Sequence, residues 1–193
     1  TSVNRSAMKK SRSLGAVDRT YRLAVAVTGE YGVYHGGTTE SALAAVATTV
    51  NRVNGIYQRE LSVQFQLIDD NDSLIYVDPE TDPFTGNDDT EILIDESQSV
   101  IDDVVGSGAY DVGHTFSTSP GGLATLRSPC SDSKKARGVT GLSNPVGDPF
   151  DIDYVAHELG HQFGMKHTLN SLVCLKNRSA TAAFEPGAGT TIM

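Results

Sequence analysis

Cysteine is scarce in this chain, with Cys130 and Cys174 the only two among 193 residues, and tryptophan is missing altogether. Two cysteines exclude a small scaffold stapled by several disulfides. No run of about 20 apolar residues occurs, so no segment reads as a membrane span. Positive charge is short as well. Fifteen Lys and Arg stand against 24 Asp and Glu, leaving a formal net charge of −9 and a sequence pI of about 4.9. That balance argues against nucleic acid or an anionic membrane as a partner. The basic opening around Met8-Lys9-Lys10 is not followed by an apolar stretch, because Asp18 and Arg19 interrupt it, so it does not read as a signal peptide. No internal repeat is evident.

What is present suffices for one domain with a substantial core. Residues 1–19 read as a flexible leader and residues 20–193 as the domain. Tyr21 to Val27 is short, apolar and β-branched, which predicts a buried strand. Thr38 to Tyr57 carries Leu43, Val46, Val50, Val53 and Ile56 at helical spacing, with Thr38 or Thr39 as cap. Leu61 to Ile68 alternates apolar and polar residues, as a half-buried strand does. Residues 69–90 are rich in Asp, Asn, Pro and Gly and read as a long excursion with a short extended piece at Leu74–Val77. Asp89 to Val105 reads as a helix. Tyr110 to Phe116, Gly121 to Leu126 and Arg137 to Leu142 read as strands. Asp151 to Phe163 reads as a further helix, N-capped by Asp151, with Ile152, Val155, Leu159 and Phe163 as its core-facing stripe. This order predicts an α/β sheet packed against helices.

That last helix holds three of the five histidines. Residues 157–167 read His-Glu-Leu-Gly-His-Gln-Phe-Gly-Met-Lys-His. Residues four apart share a helix face, so His157 and His161 can address one metal ion. Gly164 tolerates positive φ and lets the chain turn, bringing His167 back as a third ligand. Three imidazoles with an open fourth position describe a catalytic zinc site, and no fourth protein ligand lies nearby at suitable spacing. Glu158 stands about 100° round the helix from His157, beside the open position, where it can act as general base. A bare His-Glu-x-x-His is often an ordinary helix face; Gly164 and His167 at the right spacing favour the metal. His35 and His114, in a turn and on a strand, read as solvated or core histidines rather than ligands.

Two further features stay open. Cys130 and Cys174 form either one disulfide or two reduced thiols. Their polar surroundings on either side of the histidine motif favour the bridge, which would contribute about 3–4 kcal/mol. The acidic residues Asp69, Asp70, Asp72, Asp78, Asp82, Asp88 and Asp89, with Asn71 and Asn87, could hold Ca2+, or they could belong to a solvated, turn-rich loop. They lack the spacing and closing glutamate of an EF-hand.

The histidine motif resembles that of the metzincin zinc endopeptidases. Glu185-Pro186-Gly187-Ala188-Gly189-Thr190-Thr191-Ile192-Met193 resembles their methionine turn, with Met193 as its methionine. Arg137–Gly141 and the run Asn144–Tyr154 are similar to bacterial reprolysin-like (adamalysin-like) metallopeptidases. The resemblance extends from about residue 20 to the end. It implies a twisted, mostly parallel sheet with one antiparallel edge strand, packed on helices that include the zinc-binding one. It implies Zn2+ on His157, His161 and His167, and a secreted, extracellular, monomeric endopeptidase. Zinc-activated water and Glu158 as general base would hydrolyse protein or peptide substrates. An extended substrate would pair with an exposed edge strand, for which Gly122, Leu123 and Ala124 are the candidates. Adamalysins usually carry Asp where this chain has Thr168, which places it near that group. Metzincins continue past the methionine turn into a C-terminal helix, so the resemblance also implies a domain truncated after Met193.

Overall fold

Strand β1, Arg19–Val27, is buried on both faces along its second half. Leu23, Val25 and Val27 belong to the core on one side of the sheet, and Ala24 and Ala26 to the core on the other, following the two-residue period of a strand. β1 pairs in parallel with β2, Val63–Leu67, and with β3, Val112–Ser117. A strand with neighbours on both edges and helices over both faces is an unbroken apolar run, which is why it is legible in the sequence. β3 pairs in parallel with β5, Gly138–Gly141, and β4, Gly121–Ala124, runs antiparallel to β5 at the sheet's edge. The order is β2-β1-β3-β5-β4, a mostly parallel sheet with one antiparallel pair, as the sequence implied. The computed structural model describes residues 17–171, 178–187, 189 and 191–193.

Helix α2, Thr39–Leu61, lays Val46, Val50, Val53 and Tyr57 on the Leu23 side of the sheet. Thr38 caps it, its hydroxyl accepting from Ser41 N–H at 3.2 Å. Ser62 ends it in the left-handed conformation. Asn54 then ties the helix to β2, donating to Phe65 C=O and accepting from Phe65 N–H. On the opposite face, α3, Thr90–Val105, buries Leu93, Ile94, Val100 and Ile101. Asp89 caps it by accepting from Glu91 N–H.

The structure differs from the sequence expectation in three places. A six-residue helix α1, Gly29–Tyr34, follows β1 under a Thr28 cap; it is too short to display a helical period. Second, the short extended piece expected at Leu74–Val77 starts one residue later: Leu74 closes a 3-10 turn, Asn71–Leu74, and Ile75 is extended and makes a single parallel bridge to Val27. Leu74 and Phe84 are buried from this excursion. Three of its polar side chains hold backbone: Asn71 bonds both N–H and C=O of Val25, Asp78 accepts from Glu80 N–H, and Asp82 accepts from Gly29 and Phe84 N–H. Among the described residues, none of these acids gathers into a three-ligand metal group.

Third, Asp151 is not a helix cap. The helix begins earlier, as α4, Asp148–Phe150, and Asp151 opens a π-helical segment, Asp151–Ala156, that leads into α5, His157–Gln162. The Asp151 carboxylate is buried, accepts from Thr49 Oγ1 at 2.7 Å and pairs with Arg52 Nε at 3.1 Å. A charged partner on α2, invisible in local sequence, replaces the expected backbone N–H.

Candidate active site

The site is built on α5 and the turn that ends it. His157 and His161 lie four residues apart with ring centroids 4.5 Å apart. After Phe163, Gly164 adopts φ +94°, as the motif predicts. Gly164 N–H donates to His161 C=O at 2.8 Å and Met165 N–H to Gly160 C=O at 2.9 Å. This pair of bonds is a Schellman cap. It reverses the chain and delivers His167 to the other two rings, 5.0 Å and 4.7 Å away between centroids.

The ring nitrogens sort themselves by their partners. His161 Nδ1 donates to Met165 C=O at 2.9 Å, a carbonyl presented by that same cap, and His157 Nδ1 donates to Ile192 C=O. With Nδ1 carrying the proton, Nε2 is left as a lone-pair donor. The Nε2 atoms of His157 and His161 each lie 3.1 Å from that of His167. Four-coordinate zinc with Zn–N bonds of about 2.0–2.1 Å brings its nitrogens about 3.3 Å apart, so the triad fits such an ion. Burial holds the pKa values of His157 and His161 below the ordinary imidazole value, which keeps both neutral and able to ligate. These three are the only such cluster among the described residues.

Glu158 is 7% exposed, and burial pushes its carboxyl up to about 7. It and the three histidines line one cavity of about 940 Å³. Gly122, Leu123 and Ala124 of β4 line the same cavity. Among the described residues β4 has a paired strand on one side only, at the edge of the sheet. A Cβ on Gly122 would meet Glu158 Oε1 at 2.3 Å, so glycine there gives the carboxylate its room.

Met193 lies under the helix: a Cβ on Gly160 would stand 2.8 Å from its Sδ. The final strand of chain is clamped to the residue after His167. Thr168 N–H donates to Met193 C=O at 3.2 Å, and Glu185 accepts from Thr168 Oγ1 at 2.9 Å, from Thr191 N–H at 3.2 Å and from the Thr191 hydroxyl.

Other expected residues lie elsewhere. His35 packs against Tyr31 with its ring tilted 45°, and His114 is buried between Gln162 and Thr140, so neither reaches the triad. Cys130 is exposed and bridges to no cysteine among the described residues, and Cys174 lies outside them.

Gln162 is a site residue that the motif reading overlooks. Fully buried, it donates to Gly113 C=O at 3.0 Å and accepts from His114 Nδ1 at 2.9 Å, pinning α5 to the sheet. The available signal was its place at i+7 from Val155 and i+3 from Leu159, on the core face.

A family model described as Metallo-peptidase family M12B, Reprolysin-like, matches residues 17–193. No curated protein matches the chain. Two solved structures of myroilysin are similar to it. One has a TM-score of 0.37 at 15% identity over 81% of this chain, and the other 0.38 at 14% over 77%. In each case 49% of the solved chain is covered, so this chain spans about half their length.

Proposed function

This chain belongs to the reprolysin-like M12B metallopeptidase family, and from that premise we propose that it is a zinc-dependent endopeptidase with Glu158 as general base. The observation that carries the reading is the convergence of three Nε2 atoms, two of them oriented by backbone carbonyls, beside a buried carboxylate.

His157, His161 and His167 would hold the metal. When bound, zinc supplies the Lewis acidity that activates water and polarises the scissile carbonyl. The chain's own residues do the rest. The edge strand β4, at Gly122–Ala124, binds the substrate backbone as an added antiparallel strand. Glu158 takes a proton from the attacking water and passes it to the leaving amine. Poor solvation disfavours its ionised form and raises its carboxyl to about 7, so both protonation states lie within reach of neutral pH. Met193 packs beneath the helix and supports the ligand platform.

We extend the reading to a secreted, monomeric enzyme, in which Cys130 and Cys174 would be oxidised to one disulfide. Thiol titration of the unfolded protein should find none, and two would count against it. The test of the activity is hydrolysis of a fluorogenic peptide library, with metal analysis and a 1,10-phenanthroline control. Chelator-sensitive cleavage with about one zinc per chain supports it; stoichiometric zinc without cleavage of any peptide would overturn it.

A further inference from the structure

The cavity is electrically uneven. Asp153 lines it four residues before His157, towards the start of the helix, while Lys166 and Arg178 line it beyond the helix's end. Elsewhere among the described residues Arg22, Arg52, Arg59, Lys135 and Arg137 form ion pairs with carboxylates, and the basic residues that form none, Arg19, Arg127 and Lys134, do not line the cavity. Among the described residues, Lys166 and Arg178 pair with no carboxylate. Lys166 Nζ donates to the Thr181 hydroxyl at 3.1 Å, and Arg178 Nε to the Asn170 side-chain oxygen at 2.8 Å. A neutral acceptor orients a cation and leaves its charge uncompensated. Arg178 is half-buried, and its remaining guanidinium donors match a carboxylate in two-point geometry. A ligand carboxylate is the group that would complete this wall, and Asp153 would repel it from the other end.

Resting on the endopeptidase reading above, we infer that the cleft selects peptides bearing an aspartate or glutamate beside the scissile bond, on the side facing Lys166 and Arg178. The preference is one-sided. An acidic residue on the Asp153 side gains nothing, and a basic one is accepted there.

The test uses quenched fluorogenic peptides that differ only in carrying Glu, Gln or Lys at each of three positions on either side of the cleaved bond. The readout is the ratio of kcat/KM for Glu over Gln at each position. In the wild-type enzyme it should reach about tenfold on one side only and shrink as salt is raised. Lys166→Glu and Arg178→Glu should each pull it towards one and raise the Lys peptide relative to the Glu peptide. The ratio is internal to each protein, so a general loss of activity does not imitate the effect. If one variant fails to fold, the other and the salt series carry the test. A wild-type ratio near one at every position, an equal preference on both sides, or a ratio that survives both reversals overturns the inference while leaving the peptidase reading intact. Failure to cleave any peptide overturns both.

Discussion

Gly122 and Glu158 occupy adjoining space: a methyl group on residue 122 would overlap the Glu158 carboxylate, with Oε1 at 2.3 Å and Cδ at 2.7 Å. The obstructed atoms are the end of a flexible side chain, so the fold can absorb the intrusion by moving the carboxylate. The damage should therefore fall on chemistry rather than stability. Gly122→Ala is expected to lower kcat about 10²-fold with little change in Tm or zinc content. An equal loss of Tm and activity would count against this separation.

Removing the base and removing a ligand should have different signatures. Glu158→Ala leaves the three imidazoles in place, so zinc stays and peptidase activity falls by about 10²–10⁴-fold. His161→Ala should lose both zinc and activity. Metal analysis beside kinetics separates them, and near wild-type turnover by Glu158→Ala would show the mechanism to be wrong.

The clamp at Glu185 reaches the metal ligands indirectly, through Thr168 beside His167 and through Thr191 beside Ile192, whose carbonyl orients His157. Glu185→Ala is expected to weaken zinc binding by about 10–100-fold, read by competition with a chromogenic chelator. An unchanged affinity would mean that the tail is held without it.

His114 gives a pH dependence with a definite sign. Burial pulls its pKa down to about 4, with the bond to Gln162 opposing the shift only in part. The unfolded imidazole titrates near 6.5, so between about pH 6.5 and 4 the unfolded chain binds the extra proton and the native one does not. Stability from this group is complete above the upper value and lost as pH falls through the window, by about 3 kcal/mol at most. Urea unfolding of metal-free protein should show this slope, and His114→Gln should flatten it. An identical slope in the variant would remove His114 from the account.

The parts of this fold that announce themselves in sequence are those whose cause is local. Leu23–Val27 is an unbroken apolar run because both faces of β1 are covered, and Val46, Val50, Val53 and Tyr57 mark one stripe of α2. The histidine motif is legible for the same reason: helix spacing and one glycine place all three rings. What escapes is set by distant partners. Asp151 looks like a cap until Arg52 and Thr49, a hundred residues earlier, are brought against it. Gln162 sits on the core face by spacing, but its partners, Gly113 C=O and His114, come from β3. The charge of the cleft depends on Arg178 and Lys166 lining the same cavity, which no local pattern foretells.

The π-helical segment Asp151–Ala156 carries a consequence for how this protein can change over time. A π turn accommodates about one residue more than an α turn. Losing a residue there would convert the segment to ordinary helix and rotate everything before it by about 100° relative to everything after. Either Asp151 would leave its seat beside Arg52 and Thr49, or His157 and His161 would leave the cavity. Ile152, expected to face the core, is only partly buried, and a substitution there leaves that phase unchanged. The lineage is therefore held to the length of this stretch even at positions where its composition can vary.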